Sequence, residues 1–117
     1  MSQRGNIVLV SFPYSDGSGA KIRPALVVQN DADNQRLDNT VVAMITGNTA
    51  HAHEATQLLV DPATSDGLQS GLHGPSAVKC SVLATVNQRT ILRSLGRLSP
   101  AAMQQIDHCL RIALELA

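Results

Sequence analysis

Two cations and a hydroxyl are the groups in this 117-residue chain whose types and spacing suit chemistry on a phosphate. Arg23 stands directly before Pro24, just after the glycine-punctuated segment Ser15-Asp16-Gly17-Ser18-Gly19-Ala20. Proline fixes its own φ and pushes the residue before it out of helical conformations into an extended one. The Arg23 side chain is therefore aimed, not left to wander with the loop. Lys21 lies two residues earlier, on the same face if the strand reaches that far. Two cations beside a Gly-rich loop fit a phosphate site, since a guanidinium offers a planar fork to two phosphate oxygens. An exposed strand-end arginine that caps nothing is the ordinary alternative. Thr46 closes an apolar run before Gly47-Asn48, where a threonine often just satisfies a turn backbone. If the strands carrying Arg23 and Thr46 lie side by side, guanidinium and hydroxyl can hold one phosphate between them.

Other polar groups carry weaker signals. In an extended segment His51 and His53 share a face, as metal ligands can, while Glu54 points to the opposite one. No third ligand stands at a companion spacing, so a solvated loop is the better reading. His73 is read the same way, and His108 as surface or partial core of a helix. Lys79 alternates with Val78 and Cys80 and faces away from them. The segment Asp16-Gly17-Ser18-Gly19 matches neither GxxxxGK[ST] nor GxGxxG before a helix, which argues against a nucleoside triphosphate site.

Composition bounds the rest. Nine Lys plus Arg balance nine Asp plus Glu. There is no long-range basic field, which counts against a tight nonspecific DNA binder but not against an enzyme with a few positioned cations. Aromatic residues are 2%, only Phe12 and Tyr14, so the core must be aliphatic. Cys80 and Cys109 lack metal-ligand spacing and read as reduced core thiols. No apolar run approaches the roughly 18 residues of a membrane span, and the N-terminal run is short for a signal peptide. The expectation is one cytoplasmic domain over residues 1–117.

The elements that must position these residues are short. Ile7–Val10, Ala25–Gln29, Thr40–Thr46 and Gln57–Val60 read as strands, with 15–20 a loop and 31–39 polar and loop-like. Residues 61–75 read as an irregular connection. Ser76–Asn87 alternates at Val78, Cys80, Val82 and Ala84, as a half-buried strand does, and a shorter strand lies within 90–98. Ser99-Pro100 is an N-cap followed by proline at the first helical position, with Met103, Ile106, Leu110, Ala113 and Leu114 as the apolar stripe. Several strands and one helix point to a small antiparallel barrel or sandwich.

Taken in order, several blocks resemble the MazF/PemK toxin family, the ribonuclease halves of bacterial type II toxin–antitoxin systems. They are Arg4–Val10, the glycine loop, Arg23–Asp31, Thr40–Thr46, Ser70-Gly71-Leu72, Ser76–Lys79 and the closing helix. The resemblance covers roughly residues 4–116, and Arg23–Asp31 is its most specific part. It implies a mainly β fold, a small SH3-like antiparallel barrel of the CcdB/PemK-like kind with a C-terminal α-helix, acting as a homodimer. It implies cleavage of single-stranded RNA within a short recognition sequence, with no metal or cofactor. It implies a cognate antitoxin whose acidic, disordered tail lies over the RNA groove.

On the same resemblance Arg23 and Thr46 are the catalytic pair. Ser18, Gly19, Lys21, Asn30, Asn48, Ser76 and Lys79 are the expected RNA-binding residues, and the loop at 15–20 a flexible lid or the part an antitoxin displaces. Two departures stand out. The family often has an acidic residue, Gln, an aliphatic, Arg and Thr where this chain has Ser81-Val82-Leu83-Ala84-Thr85, so polar and basic groups have become Val82 and Ala84. Asn6 stands where Asp is common. The alternatives are a non-catalytic RNA- or antitoxin-binding module of the same fold, a CcdB-like gyrase poison and, remotely, a metal hydrolase using His51 and His53.

Overall fold

The computed structural model describes residues 1–117 as six strands and two helices. In chain order they are β1 (Asn6–Pro13), β2 (Ala20–Val27), α1 (Asp31–Arg36), β3 (Asn39–Thr46), β4 (Gln57–Val60), β5 (Ser76–Asn87), β6 (Arg93–Arg97) and α2 (Pro100–Leu114). The strands form one sheet in the order β4-β5-β3-β2-β1-β6, with every pairing antiparallel.

Both faces of this sheet are buried, which explains why its strands read as nearly unbroken apolar runs. On one face Ile7, Leu26, Ala43, Ile45, Val78 and Cys80 pack under Ala102, Ile106 and Cys109 of α2. On the other, Val8, Val10, Phe12, Ala25, Val27 and Val42 are at most 3% exposed, yet no helical residue belongs to their cluster. Only the sheet curling over itself can cover them. The result is the small barrel-like β fold with a C-terminal helix that the strand pattern led us to expect.

Strand β2 begins at Ala20, five residues before the expected start, so Arg23 and Pro24 lie inside it and not at its mouth. Pro24 is tolerated because β2 pairs with β3 only over Ala25–Val27. On that side no partner waits for the N–H that Pro24 lacks. The even spacing expected along β5 also fails. Val78 and Cys80 belong to the helix-side core, whereas Val82 and Ala84 pack on the opposite one. The register against β3 jumps from Met44–Lys79 to Ala43–Leu83, and this irregularity turns the strand over.

The segment 31–39, expected to be loop, contains α1. Asn30 caps it, its Oδ1 accepting from the Asp33 N–H at 2.9 Å. The helix is held by one fully buried side chain, Asn34. Its Oδ1 accepts from Thr40 Oγ1 at 2.6 Å and from Gln29 Nε2 at 3.0 Å, and its Nδ2 donates to the Gln29 carbonyl at 3.0 Å.

Helix α2 starts as expected, with Ser99 Oγ accepting from the Ala102 N–H at 3.0 Å and Pro100 in the first turn. Its buried stripe is Ala102, Ile106 and Cys109, flanked by Met103, Leu110 and Ala113. Leu114 departs from the expected stripe and is 52% exposed, because the helix ends there in a left-handed cap at Glu115. The connection before β5 is pressed against β6. The Arg97 N–H donates to the Gln69 carbonyl at 2.8 Å, and a Cβ on Gly96 would collide with that carbonyl oxygen.

Candidate functional site

Arg23 sits opposite Val10 of β1 and two residues before Ala25, which places it on the barrel-side face at the rim of the aliphatic core. It is half-buried. Its Nη1 donates to Met44 Sδ at 3.2 Å. No carboxylate is paired with it; the ion pairs of the chain are Arg4–Asp107, Arg36–Asp33 and His51–Glu54. Lys79 of β5 lies directly opposite Met44 of β3. Ala25 is the β2 residue opposite Met44, so Arg23 reaches Met44 on the diagonal while Lys79 faces it directly.

Arg23, Met44, Lys79 and Val82 form the floor of an open cavity of about 520 Å³. Its wall is the turn between β1 and β2, contributing Pro13, Tyr14, Ser15, Asp16 and Ser18. That turn, expected to be a flexible lid or the part an antitoxin displaces, carries hydrogen bonds across its base. The Tyr14 N–H donates to the Gly19 carbonyl at 2.8 Å, the Gly17 N–H to the Tyr14 carbonyl at 3.1 Å, and the Ser18 N–H to Asp16 Oδ1 at 2.9 Å. The Ser18 hydroxyl and then its backbone N–H hold the Asp16 carboxyl below the usual carboxylate range, so Asp16 is ionised at neutral pH. The cavity therefore carries two positive charges on its floor and one negative charge on its wall.

The β2–β3 ladder ends at Ala25–Met44, and the same register continued by two residues sets Arg23 against Thr46. Thr46 shares Met44's face of β3 but does not line the cavity; its Oγ1 accepts from the Asn48 N–H at 3.2 Å. Of the other expected binding residues, Ser18 and Lys79 line the cavity and the rest do not. Lys21 is opposite Phe12, exposed, two residues out from Arg23 on the same face. Gly19 closes the turn. Asn30 is occupied as the α1 cap, and Asn48 Oδ1 accepts from the Ala50 N–H at 3.1 Å. Ser76 is buried, its hydroxyl donating to the Gly74 carbonyl at 3.0 Å. Tyr14, Asp16, Met44 and Val82 were not singled out as binding groups from sequence. The signal for Met44 was available, since it lies two residues before Thr46 on one strand face.

Other candidates are less suited to phosphate. A cavity of about 580 Å³ beside α2 is lined by His53, Glu54, Gln57, Gln104 and His108 among others, with no Lys or Arg. The segment around His51 is a turn, not extended, so Glu54 comes back to His51 Nδ1 at 3.3 Å instead of facing away. No third His, Cys, Asp or Glu joins them. Cys80 and Cys109 are free and buried, and burial first, then the neighbouring Cys109 thiol, pushes Cys80 up to about 12. No helix is long and apolar enough to cross a membrane.

Comparison with known proteins shows the family and the fold. A family model described as PemK-like, MazF-like toxin of type II toxin–antitoxin system matches residues 3–114. The chain is 34% identical over 126 residues to "Endoribonuclease MazF9" of Mycobacterium tuberculosis, covering 99% of this chain and 98% of the relative. It is 33% identical over 105 residues to "Endoribonuclease MazF6" of the same species, covering 89% and 88%. Among solved structures, a mycobacterial endoribonuclease in complex with its cognate antitoxin superposes with a TM-score of 0.77 at 26% identity, covering 100% of this chain and 98% of that one. A MazE–MazF structure from Deinococcus radiodurans, 17% identical, has a TM-score of 0.74 over 99% and 98% of the two chains and speaks for the fold alone.

Proposed function

This chain belongs to the PemK-like, MazF-like toxins of type II toxin–antitoxin systems, and from that premise we propose that it is an endoribonuclease that cuts single-stranded RNA with Arg23 at the reacting phosphorus. The observation that carries the reading is the state of Arg23. It is a half-buried guanidinium on a cavity floor, extended by Pro24, in no ion pair with a carboxylate and hydrogen-bonded only to a thioether. Its charge is uncommitted and waits for an anion.

RNA brings its own nucleophile, so no metal is needed to generate one. The 2′-oxygen attacks the adjacent phosphorus and gives up its proton. The bond from phosphorus to the 5′-oxygen breaks, and that oxygen takes a proton. The products are a 2′,3′-cyclic phosphate and a 5′-hydroxyl. The protein must align the attack and stabilise the added negative charge on the phosphorane. Arg23 does the second with its planar fork. Its very high pKa makes it an electrostatic group and not a classical acid. Thr46 already accepts a hydrogen bond from the Asn48 N–H, which leaves its own hydroxyl proton free for a phosphate oxygen or the 2′-hydroxyl. Lys79 supplies a second cation for the neighbouring phosphate.

We assign the working form as a cytoplasmic homodimer, silenced by a cognate antitoxin whose acidic segment competes with RNA for this cavity. The similar endoribonuclease solved with its own antitoxin supports the partnership. The direct test is incubation of the purified protein with a long single-stranded RNA in EDTA. Discrete cuts ending in 5′-hydroxyls are expected. RNA that stays intact while antitoxin still binds would leave a non-catalytic binding module as the correct reading.

A further inference from the structure

Tyr14 is the one aromatic side chain on the surface; Phe12, the only other, is 3% exposed. Tyr14 is 44% exposed and lines the same cavity as Arg23 and Lys79. The backbone beneath it is fixed from both sides, by its N–H to the Gly19 carbonyl and its carbonyl to the Gly17 N–H. The ring edge lies beside Gly19, where even a Cβ would come within 3.6 Å of Cδ2 and Cε2. The ring is thus placed at the cavity edge by the turn itself, with no hydrogen-bond partner among the side chains.

Charge in the cavity is divided. The cations stand on the sheet floor, whereas the Asp16 carboxylate stands on the turn wall with Tyr14. A phosphate is drawn to the floor and repelled from the wall. What the wall can take is a neutral, flat group attached to that phosphate. Building on the ribonuclease reading above, we propose that Tyr14 is a stacking platform for one nucleobase flanking the phosphate received by Arg23. Pro13 beside it extends the apolar surface, and stacking of this kind tolerates any base because every base has a π-face.

The test separates this idea from the reading it rests on. The cut site is first mapped with the wild type on transcribed single-stranded RNA. The shortest oligonucleotide still cut is then made with a 2′-deoxy residue at the cut, which removes the nucleophile, and its Kd is measured. Tyr14→Ala is expected to bind it about tenfold more weakly or worse, and Tyr14→Phe within about threefold of wild type. An abasic residue at one position beside the cut should erase the difference between wild type and Tyr14→Ala. Equal binding by wild type and Tyr14→Ala overturns the platform while leaving the ribonuclease intact. So does a Tyr14→Ala penalty that survives an abasic residue at every flanking position. A wild type that neither cuts nor binds RNA overturns both. Thermal melting of each variant confirms that the fold is retained, and Tyr14→Leu, apolar but not aromatic, should behave like Tyr14→Ala.

Discussion

The Arg23 Nη1 and Met44 Sδ atoms lie 3.2 Å apart, and this thioether is the only side-chain acceptor the guanidinium has. Arg4 shows the contrast. It bonds the Val28 carbonyl at 2.9 Å and Asp107 at 2.7 Å, tying α2 to the end of β2, so its charge is spent on structure. A thioether is a weak acceptor that carries no charge. Met44 can therefore orient Arg23 without neutralising it.

Replacing Met44 by Leu keeps volume and apolarity but removes the acceptor. We expect kcat to fall by about three- to tenfold with KM little changed, the size of one modest hydrogen bond. Met44→Gln, which restores an acceptor at similar reach, should recover most of the loss. If Met44→Leu cuts RNA at the wild-type rate, Met44 has no positioning role.

Arg23→Lys retains the charge and loses the fork. Loss of a transition-state donor of this kind costs on the order of 10²- to 10³-fold in kcat. Single-turnover cleavage of a defined RNA reads it directly. The melting temperature should stay near wild type, because Arg23 makes no ion pair that the fold depends on. Near-wild-type cleavage by the lysine variant would remove Arg23 from the chemistry.

Asn34→Leu should destabilise the fold by about 2–4 kcal/mol in urea titrations, because it strands the fully buried Thr40 hydroxyl and takes the Asn34 Nδ2 donor from the part-buried Gln29 carbonyl, while Gln29 Nε2 keeps the Asn39 carbonyl at 2.9 Å. The Gln88 Nε2 bond to the Asn34 carbonyl at 2.8 Å is made by backbone and survives the change. A loss below about 0.5 kcal/mol would mean that water replaces the network.

Asn34 also marks where reading from sequence stops. Strands with apolar runs, and the Ser99-Pro100 helix start, were legible because burial and capping leave local patterns. Helix α1 was not. Five polar residues and Ala32 show no apolar stripe, and its anchor is a buried amide whose partners, Gln29 just after β2 and Thr40 in β3, lie outside the helix. The switch of faces along β5 was equally hidden, since an irregularity between Cys80 and Leu83 is a property of pairing with β3. At the site, Arg23-Pro24 announced itself through proline's steric effect on its neighbour. Tyr14 and Met44 did not, because their importance comes from which strand face and which turn they share with Arg23.

Cys80 gives a pH signature. Its folded pKa is raised from 9.0 to about 12, so the neutral thiol is favoured by the fold. That contribution is fully present below about pH 9 and is lost as pH rises from there toward 12. Stability of the wild type should fall with pH across that window by up to about 1.4 kcal/mol per unit more than that of Cys80→Ala, in which Cys109 is the one thiol left. Tyrosine and lysine titrations are common to both proteins and cancel in the comparison. Parallel stability curves above pH 9 would show that Cys80 meets solvent before the protein unfolds.

Val82 offers a gain-of-charge experiment at the cavity itself. It lies on the floor with Arg23 and Lys79, at a position where the family resemblance led us to expect a polar or basic group. Because β5 has turned over by then, Val82 packs on the barrel side and its substitution points toward the substrate and not toward α2. Val82→Arg adds one cation where a phosphate passes. Each phosphate neutralised on a single strand steepens the fall of log K with log salt by about 0.7. Val82→Arg should therefore bind RNA more tightly at low salt and show a slope steeper by about that amount, with kcat changed little. An unchanged slope would mean that no phosphate lies within reach of position 82, and the RNA path would then have to leave the cavity over Lys79 alone.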